Sequence, residues 1–445
     1  MRERIHEADE RLRSTLTKSA APALHIALAA MTLVAFAVLL STRTLVLLSG
    51  AGFVQRAATI ALLCAPLAVM LLFAARAARE NELSLLAGAA VCAVCALAML
   101  MRLSFIEHVS SDYEIYLSDW LAKLGSLSFS GGMRAGIGEY NVLYQYILFV
   151  ITRLPVPPLY AVKTASLIGD ALLAGALSRL CAREGRASVT ALCAALLLPS
   201  IALNGGMFAQ CDSLYAACAL WGLSLALDAK PARSAALFAL SLAFKLQAMF
   251  LLPVVAVLYA MRRLRLSDAL VFAGTLILVA LPAMLGGKPL SAIVGIYTAQ
   301  TGLYTGLTYN APTLFGLMNT AGLNVYAYGN FGMALSLGTC AALVACGVQN
   351  AREMDEGDVL NLAFVMTLLV VFLLPRMHER YFYLPVALSL TAAMRDRRLI
   401  PCAALLELAM LATLLDMGLA LFACSAMVLA AIVWALLCAQ RIKKP

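Results

Sequence analysis

Residues 358–394 read DVLNLAFVMTLLVVFLLPRMHERYFYLPVALSLTAAM. Two apolar runs, 358 to 375 and 381 to 394, enclose Pro375 to Tyr383, where Arg376, His378, Glu379 and Arg380 crowd together. Neither run alternates apolar with polar side chains, as a membrane β-barrel strand would. Apolar stretches of this kind settle in hydrocarbon as helices, because a helix satisfies its own backbone N–H and C=O groups. The stretch therefore reads as helix, polar break, helix.

That pattern repeats along the whole chain. Further apolar runs occupy 22–42, 57–75, 84–103, 158–180, 187–204, 213–228, 234–260, 267–285, 330–349, 400–415 and 417–438. Of the 445 residues, 63% are hydrophobic and 13% charged, whereas soluble domains carry about 25% charged residues. The expectation is an all-α, polytopic integral membrane protein with about 13 to 14 transmembrane helices. The first run follows a charged segment, Arg2 to Lys18, with no small-residue cleavage site, so it reads as a retained anchor and not a signal peptide. The net charge of +9 sits in short breaks between runs. This is the positive-inside pattern of membrane proteins, and nucleic acid is not an expected partner. Twelve cysteines lie mainly in the apolar runs, where a thiol behaves as a small hydrophobe. Cys211 is the exception, beside Asp212 in a polar break.

Charge then sets the expected sidedness. Arg2 to Lys18, Arg76/Arg79, Arg179/Arg183/Arg186, Lys230/Arg233, Arg262/Arg263/Arg265, Arg352, Arg395/Arg397/Arg398 and Arg441/Lys443/Lys444 should be cytoplasmic. Parity requires the 234–260 run to begin and end on that side, as two short helices hinged near Lys245 and Gln247. A charge at the bilayer centre costs about 2.5–3.5 kcal/mol on insertion scales, which favours a hinge near the far surface. With Asn141 to Arg153 a partial or re-entrant helix, both termini are cytoplasmic; whether 141–153 and 311–323 cross stays open. The remaining breaks are Ser104 to Tyr140, Asn204 to Asp212, the Lys245 hinge, Gly286 to Gly329 and Pro375 to Tyr383. All fall on the extracytoplasmic side and all carry mixed polar groups.

Each break has a bland reading and a chemical one. If the chain is helical from Asp112, then Asp112, Tyr116 and Asp119 share a face, with Tyr113 and Trp120 beside them; an interfacial amphipathic helix would look the same. In Asn204-Gly-Gly-Met-Phe-Ala-Gln210-Cys-Asp212-Ser213, Asp212 or Ser213 suits the cap of the next helix, which is compatible with a site role. Lys245 and Gln247 form a donor pair for an anion, although a lysine also snorkels. Arg376 and Arg380, four residues apart, suit bidentate phosphate binding or a lipid-headgroup contact. Together Lys245, Arg376, His378 and Arg380 with Asp112, Glu114, Asp212 and Glu379 suit chemistry in which a phosphate leaves and a general base takes a proton.

Asp112-Tyr-Glu114, Phe244-Lys-Leu-Gln247 and His378-Glu-Arg380, in this order and at these topological positions, resemble the GT-C membrane glycosyltransferases. The nearest likeness is to bacterial relatives of the GPI-anchor second mannosyltransferase. The dolichyl-phosphate-glucose enzymes of N-glycan assembly are more distant. Roughly residues 85 to 395 are covered. The break at 206–212 departs from the pattern: it lacks a His, and Phe208-Ala209 stands where the bacterial relatives read Trp-Gly.

The resemblance implies a GT-C catalytic core over 84–395, with amphipathic helices in the 104–140 loop. A cytoplasmic segment (1–21) and two extra transmembrane helices (22–83) precede it, and C-terminal helices with a basic tail (396–445) complete the chain. It implies inverting transfer of a hexose, mannose by family likeness, from a polyprenyl-phosphate-linked donor to a lipid or glycan acceptor, on the extracytoplasmic side of the cell membrane. Asp112 would be the general base. Lys245, Gln247, His378 and Arg380, with Arg376 nearby, would bind the departing phosphate. Tyr113, Glu114, Gln210, Asp212 and Glu379 would orient the sugar or those groups. No metal or other cofactor is expected, although Asp112-x-Glu114 with Asp212 leaves room for a divalent ion. Two other readings use the same cations: a transporter or flippase of a lipid-linked saccharide, and a polymerase or ligase with a diphosphate-linked donor. Transporters commonly place the site at the midplane between related halves, and this chain shows neither an internal repeat nor a two-sided polar set.

Overall fold

The computed structural model describes residues 22–42, 48, 50–138, 140–182, 187–299 and 304–441. Arg2 to Lys18, Arg183, Arg186, Lys443 and Lys444 lie outside the described residues. The described chain is almost entirely helical, as the apolar runs require. It opens with α1 (Pro22–Thr42), α2 (Phe53–Glu80) and α3 (Leu85–Leu103). A π-turn at Tyr113–Leu117 leads into α4 (Ser118–Ser126), α5 (Phe129–Ala135) and α6 (Val142–Ile151). Next come α7 (Pro158–Cys181), α8 (Ala187–Leu197), α9 (Pro199–Gly206), α10 (Asp212–Leu227), α11 (Pro231–Phe244) and α12 (Val254–Ala260). The last group is α13 (Asp268–Leu285), α14 (Leu290–Ala299), α15 (Leu314–Leu317), α16 (Val325–Gln349), α17 (Glu356–Leu373), α18 (Tyr383–Arg395), α19 (Ile400–Leu414) and α20 (Leu421–Arg441).

Eight described helices are long and apolar enough to cross a membrane, or up to nine with α8 and α9 taken as one span bent by 50°. The 234–260 run breaks at Lys245 into α11, a 3-10 turn (Leu246–Phe250) and α12, so the expected hinge is present. Residues 141–153 form a ten-residue helix, and 311–323 hold a helix of four. The 286–329 break is not a plain loop, because it contains α14.

Starts and breaks obey local chemistry. Pro158, Pro199 and Pro231 open α7, α9 and α11, where a missing N–H costs nothing. Ser84 caps α3, and Asp355 with Asp358 forms a reciprocal capping box on α17. The centre of the bundle is α7, packed by α2, α8, α10 and α18. Its apolar window is 83% buried, against 17% for α1, α13 and α16, which present their apolar surface outward. A side chain at Gly175 would meet the Phe73 ring at 2.5 Å, and one at Gly169 would strike Ser213, so small residues set these close helix approaches.

One buried pair of opposite charges ties helices of the bundle together. Arg102 of α3 meets Asp170 of α7 at 2.8 Å with both side chains wholly buried, and also donates to the carbonyls of Ala98 and Leu196. Tyr383 of α18 donates to the same aspartate at 3.3 Å. This network joins four helices, and its charges sit in runs that the sequence presents only as apolar spans.

The basic breaks gather at one end of the bundle. Arg179 pairs with Asp228, Arg263 with Glu356 and with the Leu227 carbonyl, and Arg395 with Asp355. The chain runs from this end to the other and back: α11 leaves from Pro231 and stops at Phe244, and α17 leaves from Glu356 and stops at Leu373. With 14 residues, α11 is only about 21 Å long, short of the ~30 Å hydrocarbon core.

Candidate active site

At that far end, all five mixed polar breaks line one cavity of about 630 Å³. From the first comes Asp112, with Tyr116, Leu117 and Trp120; the 204–212 break supplies Ala209 and Gln210. The hinge supplies Lys245 and Gln247, the 286–329 break Ile296, Tyr297 and Tyr304, and the 375–383 break His378, Glu379, Arg380 and Tyr381.

Asp112 enters the cavity from the π-turn. The extra residue in that turn rotates the start of α4, so the wall is built from Asp112, Tyr116, Leu117 and Trp120, and Asp119 is exposed elsewhere. The regular-helix expectation of Asp112, Tyr116 and Asp119 on one face thus fails at its third member. Glu114 is exposed and Tyr113 packs into a neighbouring apolar cluster, and neither lines the cavity. The segment is fixed from beneath by Lys163 of α7, which donates to the carbonyls of Phe105 at 2.5 Å and His108 at 2.6 Å. Ser110 binds the Phe208 carbonyl at 3.0 Å and so ties the segment to the next break.

That next break turns through Ala209, whose φ of +56° is left-handed. A non-glycine residue there carries about 1–2 kcal/mol of strain. The turn aims the Gln210 amide at Asp112, to which it donates, while the Tyr140 hydroxyl lies 3.5 Å from the Gln210 oxygen. Asp212 opens α10, where a carboxylate complements the helix N-terminus. It is wholly buried and does not reach the cavity surface; it receives Lys245 Nζ at 2.6 Å and the Asn204 amide at 3.3 Å. Lys245 itself lines the cavity, with its ammonium 5.6 Å from the Tyr140 ring centroid.

The 375–383 break is shaped by a short parallel pair, β1 (Thr308–Tyr309) and β2 (Met377–His378). Arg376 has a φ of +62° and its N–H binds the Leu307 carbonyl at 2.8 Å; it does not line the cavity. The left-handed Arg376 lets the chain turn into β2 and present His378, stacked on Tyr309 at 4.9 Å, and then Arg380. Arg380 meets Asp112 at 3.1 Å and Glu379 at 3.6 Å. Burial, with Arg380 and Lys245 nearby, pushes the His378 imidazole down to about 3. Burial pushes the Glu379 carboxyl up. The Cys211 thiol, pushed up by burial to about 11, stays an unreactive packing group.

Among the described residues, Arg380 Nε and His378 Nε2 are buried without a hydrogen-bond partner. Buried polar atoms are nearly always satisfied, so orphans that belong to cavity-lining side chains mark where a ligand makes its bonds. Leu242, Phe244, Leu246 and Ile296 give the same cavity an apolar wall. The sequence reading did not single out Tyr140, Tyr144, Tyr297, Tyr304 and Tyr381 as site residues. The spacing of four between Tyr140, at the end of a polar break, and Tyr144 in the helix that follows was the available signal.

Comparison with curated proteins gives no match. Residues 140–261 match the family of the alpha-(1->6)-mannopyranosyltransferase N-terminal domain. The matched segment holds Gln210, Asp212, Lys245 and Gln247 but neither Asp112 nor the 375–383 break. Over this quarter or so of its length, in the part that supplies the buried lysine–aspartate pair of the cavity, the chain is similar to a family of mannosyltransferases.

Proposed function

We propose that the protein is an inverting glycosyltransferase that moves mannose from a polyprenyl-phosphate-linked donor to a lipid or glycan acceptor on the extracytoplasmic side of the membrane. The observation that carries this reading is the pair of orphaned donors of Arg380 and His378 beside the Asp112 carboxylate, in a cavity with an apolar wall. A lipid-linked phosphate needs both features, donors for its oxygens and hydrocarbon for its tail. The likeness of residues 140–261 to mannosyltransferases supports the sugar. The basic opposite end of the bundle supports the orientation, since clustered Lys and Arg favour the cytoplasm.

In this reading the acceptor hydroxyl attacks the anomeric carbon from the Asp112 side. A C–O bond forms to the acceptor, its proton passes to the Asp112 carboxylate, and the bond from the anomeric carbon to the phosphate oxygen breaks with its electron pair. Arg380, His378, Lys245 and Gln247 receive the phosphate. Gln210 orients Asp112, Asp212 orients Lys245, and Glu379 orients Arg380. Tyr113, Glu114 and Arg376 take no direct part. The two cations meet the charge that develops on the phosphate, so the scheme requires neither a metal nor a nucleotide.

The test is transfer by the purified protein from synthetic polyprenyl-phosphate mannose and glucose to a panel of acceptors, with wild type set against Asp112→Asn. A positioned base contributes about 10²- to 10⁴-fold, and a loss of that order is expected. Undiminished turnover in Asp112→Asn would sink the base assignment, and preference for glucose would overturn mannose.

A further inference from the structure

The two ion pairs of the site are built differently. Lys245–Asp212 is closed, with the aspartate wholly buried, the lysine side chain 8% exposed, and the carboxylate further held by Asn204 and by the start of α10. Arg380–Asp112 is open, with side chains 19% and 33% exposed, a longer separation of 3.1 Å, and an arginine Nε that has no partner. The open pair also joins segments far apart in sequence, the π-turn and the 375–383 break, with no shared helix to hold them together.

The geometry points to a second role for Arg380, resting on the proposed transfer from a lipid phosphate: it holds the base through their ion pair and lets go when the phosphate arrives. The guanidinium shares with Gln210 the one Asp112 oxygen, Oδ2, that both of them bind. A phosphate offers the same fork a better partner, with more oxygens and more charge. Once Arg380 turns to the donor, Asp112 keeps its Gln210 bond and the oxygen that Arg380 releases can accept from the acceptor hydroxyl. Lys245 cannot make this exchange, because leaving Asp212 would strand a buried carboxylate. Donor arrival and base activation are thus one event, and the donor binds before the acceptor reacts.

This makes an unusual demand on binding: removing the catalytic carboxylate should tighten the phosphate site. The probe is a short-chain polyprenyl monophosphate, titrated against full-length protein in nanodiscs, with the corresponding polyprenol as the control for tail binding. Asp112→Asn is expected to bind the phosphate roughly fivefold more tightly than wild type, the upper end for a partly exposed ion pair. Asp112→Ala, which removes the acceptor oxygen as well, should shift the same way. Arg380→Gln should bind more weakly, and adding Asp112→Asn to it should change nothing further. Equal tightening in both backgrounds would mean simple charge repulsion, and no tightening would mean no exchange; either overturns the proposal while leaving the donor assignment intact. If wild type binds the phosphate no better than the polyprenol, the donor assignment fails and the exchange falls with it.

Discussion

Lys245 was conspicuous in the sequence because a lysine inside an apolar run is expensive unless something receives it. Its partner is Asp212, 33 residues earlier, and only folding brings the two to 2.6 Å. Removing one member of such a buried pair leaves an uncompensated charge, which typically costs about 3–5 kcal/mol. Lys245→Met is therefore expected to lower the thermal unfolding midpoint sharply, and Lys245→Met combined with Asp212→Leu to recover most of it. A double variant no more stable than the single one would show that the pair is not what stabilises this region. Arg102 and Asp170 obey the same rule but escaped notice. They lie in runs that read as plain spans, and neither residue announces the other. Ala209 and Arg376 add backbone strain at two cavity-forming turns, as strained residues tend to cluster at functional sites.

Among the elements, the π-turn at Tyr113–Leu117 has the largest consequence, because its extra residue exchanges Asp119 for Trp120 in the cavity wall. Periodicity could not foresee this, since side-chain spacing alone assumes a regular helix. The Lys163 clamp is equally invisible in the sequence: a lysine in α7 holding two carbonyls of a segment 55 to 58 residues away. It positions Asp112 without reaching the cavity. A misplacement of about 1 Å can cost up to about 10²-fold in rate. Lys163→Met should lower kcat by up to that factor while leaving the KM for the donor unchanged, and Lys163→Arg should restore part of it. A rise in donor KM with kcat intact would remove Lys163 from the positioning of the base.

At the scale of the molecule, two sets of breaks occupy opposite ends of one bundle, an ion-paired basic set and a cavity-forming set. The orientation rests on the positive-inside rule and is open to direct measurement. In a Cys346→Ala background, which removes the exposed native thiol, His108→Cys should react with a membrane-impermeant maleimide on intact cells. Arg397→Cys should react only after permeabilisation. Reversed labelling would turn the protein over in the membrane.

The all-α membrane architecture, the hinge at Lys245 and the grouping of mixed polar breaks apart from basic ones are legible in the chain before it folds. These come from hydropathy and charge, which act residue by residue against the bilayer and need no knowledge of neighbours. Seven of the site residues named from the sequence, Asp112, Gln210, Lys245, Gln247, His378, Glu379 and Arg380, line the cavity, while Tyr113, Glu114, Asp212 and Arg376 do not. Tertiary structure alone decided which charges pair, which donors are left without partners and which aromatic rings complete the wall. Those are properties of side chains 33 to 268 residues apart, set by how the helices pack and by turns whose handedness no local pattern specifies.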